Sequence, residues 1–103
     1  MVTQVRAIDL FYQMKGELKK GLKKTVKPKL DSVRELKRLG ERIKQLRISK
    51  GYTSYEYFAY EHNISRAQFG RYEKGQDLRL SSLIKVINAF DLTLLEFFSE
   101  GFD

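Results

Sequence analysis

The side chains best suited to recognising another molecule lie in the stretch SRAQFGRYEKG, residues 65–75. Arg66 and Arg71 carry planar guanidinium groups, which bond in bidentate fashion to the O6 and N7 atoms of guanine. The amide of Gln68 offers the equivalent pair of bonds to adenine, and the methyl group of Ala67 suits the methyl group of thymine. These residue types can therefore bond to base edges, provided that the stretch forms the helix that meets DNA.

The same stretch predicts a helix with two unlike faces. Phe69 and Tyr72 are three residues apart and are expected to face a core. Gly70 is expected on the opposite face, where the missing side chain would let the helix lie close to the bases. Gly70→Ala is therefore expected to be mild and Gly70→Glu to weaken DNA binding. The predicted base contacts are Arg66, Ala67, Gln68, Gly70 and Arg71.

A second set of residues suits the sugar–phosphate backbone, where contacts hold a protein in register on the duplex. Hydroxyl groups, ammonium groups and the backbone N–H groups that open a helix all bond to phosphate oxygens. Tyr57 and Tyr60 are expected to pack instead. The predicted phosphate contacts are Ser54, Tyr55, Ser65, Lys74 and Lys50.

Residues for catalysis or metal binding are scarce. The chain has one histidine, His62, and no cysteine, which excludes thiolate nucleophiles and cysteine-based zinc sites. We expect His62 to be a packed or partly exposed neutral imidazole. The sequence also contains no phosphate-binding glycine loop and no serine-nucleophile motif. We therefore predict no enzyme activity, no metal and no cofactor.

Positive charge is concentrated near the N-terminus of this 103-residue chain of net charge +7. Residues 1–34 hold nine Lys/Arg and three Asp/Glu, whereas residues 35–103 hold eleven and ten. A basic excess favours a polyanionic partner such as nucleic acid. No apolar run long enough to span a membrane and no secretory signal is evident. These features predict a cytoplasmic, nucleoid-associated protein that makes no membrane contact.

The hydrophobic pattern after Pro28 predicts five helices and no strand. A stripe of apolar residues at spacings of three and four predicts a helix from about Ser32 to Lys50, ended by Gly51. A fourth helix is predicted from Leu80 to Phe90. The expected apolar stripes are Val33, Leu36, Leu39, Ile43 and Leu46 in the first helix, and Leu80, Leu83, Ile84, Ile87 and Phe90 in the fourth.

Capping residues mark the ends of the predicted helices. An S/T-x-x-E/Q capping box begins at Ser32, at Thr53, at Ser65 and at Thr93, and Ser54 is the alternative cap for the second helix. Asn63 is expected to end the second helix in the left-handed conformation, and Gly75 to end the third.

These elements resemble the lambda-repressor-like, Cro/Xre class of helix-turn-helix DNA-binding regulators. The resemblance lies in LGERIKQLRISKG (39–51), FAYEHNISRAQFGRYEKG (58–75) and LSSLIKVINAFDLTLLEFF (80–98). It implies a compact five-helix, all-α domain whose third helix, about residues 66–74, reads the major groove. It also implies that Arg47 pairs with Glu73.

The expected organisation is a basic N-terminal extension, residues 1–31, followed by the helix-turn-helix domain, residues 32–103. The expected function is sequence-specific binding of double-stranded DNA by a transcriptional regulator of repressor type. The resemblance implies a homodimer. The excess of apolar residues in 92–102 would suit its interface, although these residues would equally serve to seal the core. Two alternatives are an antitoxin-type DNA-binding protein, whose N-terminal arm (1–31) binds a partner protein, and a basic-arm protein that binds RNA or a membrane surface.

Overall fold

The computed structural model describes residues 29–103, which form five α-helices and no strand. The helices are α1 (Ser32–Ser49), α2 (Tyr55–Glu61), α3 (Arg66–Glu73), α4 (Leu80–Ala89) and α5 (Leu94–Phe97). The all-α prediction is confirmed for this part of the chain. Most of the expected N-terminal extension lies outside the described residues.

One hydrophobic core joins residues from all five helices. Phe58 of α2 lies at its centre, fully buried, with ring centroids 4.8 Å from Phe90 and 5.2 Å from Phe69. Ile64, between α2 and α3, is buried as well. Burial of this core is the main stabilising contribution, since the four helices that follow α1 are too short to hold alone in water.

The observed N-cap residues agree only in part with the predicted caps. The capping box of Thr93 and Glu96 is present. Ser54 rather than Thr53 caps α2, and its hydroxyl accepts a hydrogen bond from the Tyr57 N–H at 3.2 Å. The box predicted at Ser32 is wrong: Ser32 is already the first helical residue, and Asp31 holds the N-cap position without a side-chain bond.

Residues with positive φ end several helices. Gly51 (φ 94°), Asn63 (φ 60°) and Gly75 (φ 90°) lie where the sequence predicted helix ends. Asp91 (φ 59°) has the same role after α4 and was not predicted. Aspartate adopts this conformation at a lower cost than most side chains do.

The predicted apolar face of α4 is partly wrong. Leu80 and Ile84 are 66% and 44% exposed, whereas Val86 is only 1% exposed. Leu83, Val86 and Ile87 share one side because residues three and four apart in a helix are neighbours. In α1 the first predicted stripe residue, Val33, is 73% exposed, since the first turn of this helix extends beyond the core.

Gly40 allows α1 to approach the end of α3. A Cβ atom at this position would lie 2.6 Å from the carbonyl oxygen of Glu73 and 2.7 Å from that of Tyr72. These distances are shorter than any normal contact, so only glycine fits without a shift of the backbone. This close approach sets the distance between the two helices.

Arg42 attaches the C-terminal segment to α1. Its Nε donates to the carbonyl oxygen of Phe97 at 2.7 Å, and its Nη2 donates to that of Glu96 at 3.1 Å. These carbonyls lie at the end of α5, and that of Glu96 also accepts from the Ser99 N–H at 3.3 Å and from the Ser99 hydroxyl at 2.7 Å. The guanidinium group thus adds to the C-terminal cap of the helix.

Candidate nucleic-acid interface

Helix α3 has one exposed side and one buried side. Phe69 and Tyr72 are buried, as predicted. The exposed residues of this helix and its two ends include most of the predicted DNA contacts: Ser65, Arg66, Ala67, Gln68, Arg71 and Lys74. Two guanidinium groups and one ammonium group therefore reach solvent from the same short helix.

The first turn of α3 is organised by Ser65 and Tyr72. The Ser65 hydroxyl accepts a hydrogen bond from the backbone N–H of Gln68 at 3.3 Å. The Gln68 side chain does not complete a capping box; its Oε1 accepts from the Tyr72 hydroxyl at 3.3 Å instead. This bond uses one of the two lone pairs of the amide oxygen and leaves the amide NH₂ free to donate.

The expectation that Gly70 lies on the exposed side is wrong, because Gly70 is buried under the ring of Tyr55. A Cβ atom at position 70 would lie 2.7 Å from Tyr55 Cε1 and 2.9 Å from Cζ. Gly70 therefore has almost no surface of its own to offer to a base. Gly70→Ala, expected from the sequence to be mild, requires the aromatic ring to move.

An ion pair between Arg47 and Glu73 holds the end of α3 against α1. Arg47 Nε lies 2.7 Å from Glu73 Oε2, and Nη2 lies 3.0 Å from Oε1, so the pair is bidentate. The bonds from Glu73 raise the pKa of Arg47 above its ordinary value, although burial acts in the opposite direction. The arginine is thus charged at every accessible pH.

A shallow groove beside α3 is lined by three lysines, of which only Lys74 was among the predicted DNA contacts. Lys37 and Lys44 of α1 face Lys74 at the end of α3, and the groove also contains Tyr55 and Glu41. Arg47 and Glu73 lie in its wall, where they neutralise each other. The remaining charge of the groove is positive. Lys37 and Lys44 are seven residues apart and so share a helix face, which is the signal that could have identified them.

Two predicted phosphate contacts have neighbours within the protein. The Lys50 Nζ atom lies 3.5 Å from Asp91 Oδ2, in an exposed ion pair beyond the end of α4. The half-buried Ser54 is engaged as the cap of α2, and its hydroxyl also lies 3.2 Å from Glu56 Oε1. These groups are less free to bind phosphate than Lys74 or Tyr55, and the Ser65 hydroxyl is likewise engaged as the cap of α3.

Glu61, at the end of α2, is hydrogen-bonded by tyrosine side chains. The Tyr52 hydroxyl donates to Glu61 Oε1 at 2.6 Å. Hydrogen bonds from Tyr52 and from Tyr57 lower the pKa of the Glu61 carboxyl, and the bond to Glu61 raises the pKa of each of the two phenols. Tyr57 and Tyr60, expected to pack, are 55% and 72% exposed.

His62 is a packed side chain, as predicted. Its Nδ1 atom lies 2.9 Å from the carbonyl oxygen of Phe58, and the two rings are 4.1 Å apart. Within residues 29–103 no group of His, Asp and Glu side chains is arranged to hold a metal ion. None of the helices in this range is both long and apolar enough to cross a membrane.

The chain matches no protein-family model, no curated protein and no solved structure. The geometry of α3 and its neighbours is therefore what indicates a function for this chain. The partner-protein, RNA and membrane-surface alternatives depend on residues 1–31, nearly all of which lie outside the described residues.

Proposed function

We propose that this protein is a lambda-repressor-like helix-turn-helix regulator that binds double-stranded DNA in a sequence-specific manner and represses transcription. The observation that carries the proposal is the two-sided character of α3. Its buried side packs into the core through Phe69 and Tyr72, while Arg66 and Arg71 extend into solvent. Such a protein would act in the cytoplasm, at the nucleoid.

In this proposal α3 enters the major groove, which is wide enough to admit a helix. Arg66 and Arg71 donate to guanine O6 and N7, and the methyl group of Ala67 contacts thymine. The Gln68 amide oxygen accepts from the Tyr72 hydroxyl and keeps a second lone pair for another donor. Gln68 can therefore still make the two-bond pairing with adenine expected from its residue type.

Rigid attachment of α3 supports the proposal. A helix that reads bases binds more tightly when its side chains are already held in the bound orientation, because ordering mobile side chains on binding costs entropy. Both ends of α3 are held by side-chain interactions. Ser65 caps its start, and Glu73 forms an ion pair with Arg47 at its end. The close approach of α1 at Gly40 restricts the helix further.

Lysine side chains beside α3 supply the proposed contacts to phosphate. Lys37, Lys44 and Lys74 line one groove next to the helix. Neutralising phosphates releases condensed counterions, and this release makes up much of the affinity of any DNA-binding protein. Ser65 and Tyr55 add groups that can bond to the same backbone.

We also propose that the protein binds as a homodimer through its C-terminal segment. Phe97 is fully buried and belongs to the core, whereas Leu94, Leu95 and Phe98 are 53%, 66% and 39% exposed. Apolar side chains clustered on a short exposed segment are typical of an interface. A two-fold dimer would place its two α3 helices on half-sites roughly 34 Å apart.

Selection of binding sites from a pool of random duplexes tests the proposal directly. The full chain is expected to enrich one motif, and Arg66→Ala and Arg71→Ala are each expected to relax it at one position. Lys85→Ala, on the exposed surface of α4, serves as the matched loss of a positive charge and should leave the motif unchanged. Failure of the wild-type protein to enrich any motif would refute sequence-specific regulation.

A further inference from the structure

We infer that Tyr55, a residue of α2, determines the base preference at the DNA position that faces Gly70 of α3. The ring occupies the place that a side chain at position 70 would otherwise fill. This inference rests on the proposed function, and it assigns to Tyr55 a role in specificity beyond a contact with phosphate.

The Tyr55 ring fills the space that a side chain at position 70 would need. Tyr55 Cε1, Cζ and Oη lie 2.7, 2.9 and 3.0 Å from the position that a Gly70 Cβ would take. The ring therefore lies directly on the backbone of α3 and not merely beside it. Any side chain at position 70 would displace the phenol, so the two positions can supply only one side chain between them.

The position of Tyr55 at the start of α2 keeps the ring in place. It is the first residue of the helix, directly after Ser54, whose hydroxyl caps the helix through the N–H of Tyr57. The side chain is half-buried, so part of it remains accessible. An aromatic ring held between two helices in this way is a rigid contact surface.

The ring lies between the two parts of the proposed interface. On one side it lines a groove together with Arg66 and Ala67, the first two residues of α3, and with Glu56. On the other side it lines the lysine groove of Lys37, Lys44 and Lys74. DNA bound to both parts would have to pass over Tyr55.

The phenol hydroxyl is available for a new bond. Among residues 29–103, Tyr52 uses its hydroxyl on Glu61 and Tyr72 uses its hydroxyl on Gln68, whereas the Tyr55 hydroxyl has no hydrogen-bond partner. No buried side-chain polar atom in this part of the chain lacks a partner, so this hydroxyl reaches solvent. A phenol can both donate and accept, and its ring edge suits an apolar group such as the thymine methyl. The ligand class is therefore a base edge with an acceptor or a methyl group.

The experiment is selection of sites by the full-length wild type, Tyr55→Ala, Tyr55→Phe and Tyr55→Leu, followed by affinity measurements on single-base variants of the selected site. Tyr60→Ala is the control, because Tyr60 is also on α2 and is 72% exposed. Tyr55→Leu preserves apolar volume over Gly70, which covers the case in which the alanine variant fails to fold.

The expected result is loss of preference at one position, with roughly tenfold discrimination there falling to about twofold in Tyr55→Ala and Tyr55→Leu. Tyr55→Phe should change the base preference at that DNA position only if the hydroxyl takes part. The base preferences at the positions read by Arg66 and Arg71 should be unchanged in every variant. Uniform weakening with an unchanged motif would show that Tyr55 only packs, which overturns the inference. Enrichment of no motif by the wild type would instead refute the proposed function, and the inference with it.

Discussion

Arg47 of α1 and Glu73 of α3 form a bidentate ion pair, with N–O distances of 2.7 and 3.0 Å. The third nitrogen of the guanidinium group, Nη1, donates to the carbonyl oxygen of Tyr52 at 2.8 Å. The side chains are only 5% and 8% exposed. One arginine thus joins the first helix, the following loop and the end of the proposed recognition helix, and every polar group in this cluster is satisfied.

Glu73→Gln is expected to destabilise the protein strongly, by about 3–5 kcal/mol, because it leaves a buried guanidinium group without its counter-charge. The measurement is urea-induced unfolding of the full chain at pH 7. Glu41→Gln, an exposed carboxylate on α1, is the control and should change the free energy of unfolding by less than about 0.5 kcal/mol. Equal values for the two variants would contradict a structural role for the pair.

Gly40→Ala is expected to lower stability although alanine is the better helix former. Replacement of glycine by alanine within a helix gains about 1 kcal/mol. Here the new Cβ would lie 2.6 Å from a backbone oxygen of Glu73, and overpacking of this kind costs about 1–3 kcal/mol. Thermal unfolding should therefore show a lower midpoint for Gly40→Ala, whereas Gln45→Ala, exposed on the same helix, should raise the midpoint or leave it unchanged. A higher midpoint for Gly40→Ala would mean that α1 and α3 are farther apart.

The double variant Lys37→Ala/Lys44→Ala is expected to weaken DNA binding without a change in the preferred motif. Each lost phosphate contact should lower the magnitude of the slope of log K against log salt concentration by about 1. The slope should thus fall by about 2 for the double variant and should not change for Lys85→Ala. The measurement is a titration of labelled duplex at several salt concentrations. An unchanged slope would exclude this groove from the phosphate contacts.

The hydrogen bonds to Glu61 predict a pH dependence of stability. Because these bonds lower the pKa of the carboxyl in the folded state, their stabilising effect is complete above the unfolded pKa, about 4.3, and is lost as the pH falls through the folded pKa. Tyr52→Phe should therefore be less stable than wild type at pH 7, and this difference should narrow at pH 3. NMR titration should show a higher Glu61 pKa in Tyr52→Phe and an unchanged value in Tyr60→Phe. The same Glu61 pKa in wild type and Tyr52→Phe would disprove the bond.

Leu95→Glu is expected to prevent dimer formation while the monomer stays folded, since Leu95 is 66% exposed. Burial of a carboxylate in an apolar interface without a partner is costly. Sedimentation equilibrium should show a monomer, and circular dichroism should show unchanged helix content. Leu80→Glu is the control, because Leu80 is equally exposed on α4. Dimers of undiminished strength in Leu95→Glu would place the interface elsewhere.

The sequence by itself was sufficient for the five helices, most of their ends and the burial of Phe69 and Tyr72 in α3. These features depend on local chemistry: an apolar residue every third or fourth position, a hydroxyl at a helix start, or a residue that tolerates positive φ. The Thr93 cap, the Asn63 turn and the burial of Phe69 all follow from residues within one turn of one another. The Arg47–Glu73 pair spans 26 residues and was implied only by the family resemblance.

Only the tertiary structure decided what covers each helix face. Gly70 was assigned to the exposed side from helical spacing alone, because spacing carries no information about which neighbouring element brings a ring to that position. Helical spacing likewise could not show that Gly40 lies against the end of α3, or that Lys37 and Lys44 line a groove together with Lys74. Periodicity is a property of one helix, whereas burial and grooves depend on the distance between two helices, and that distance is set by packing.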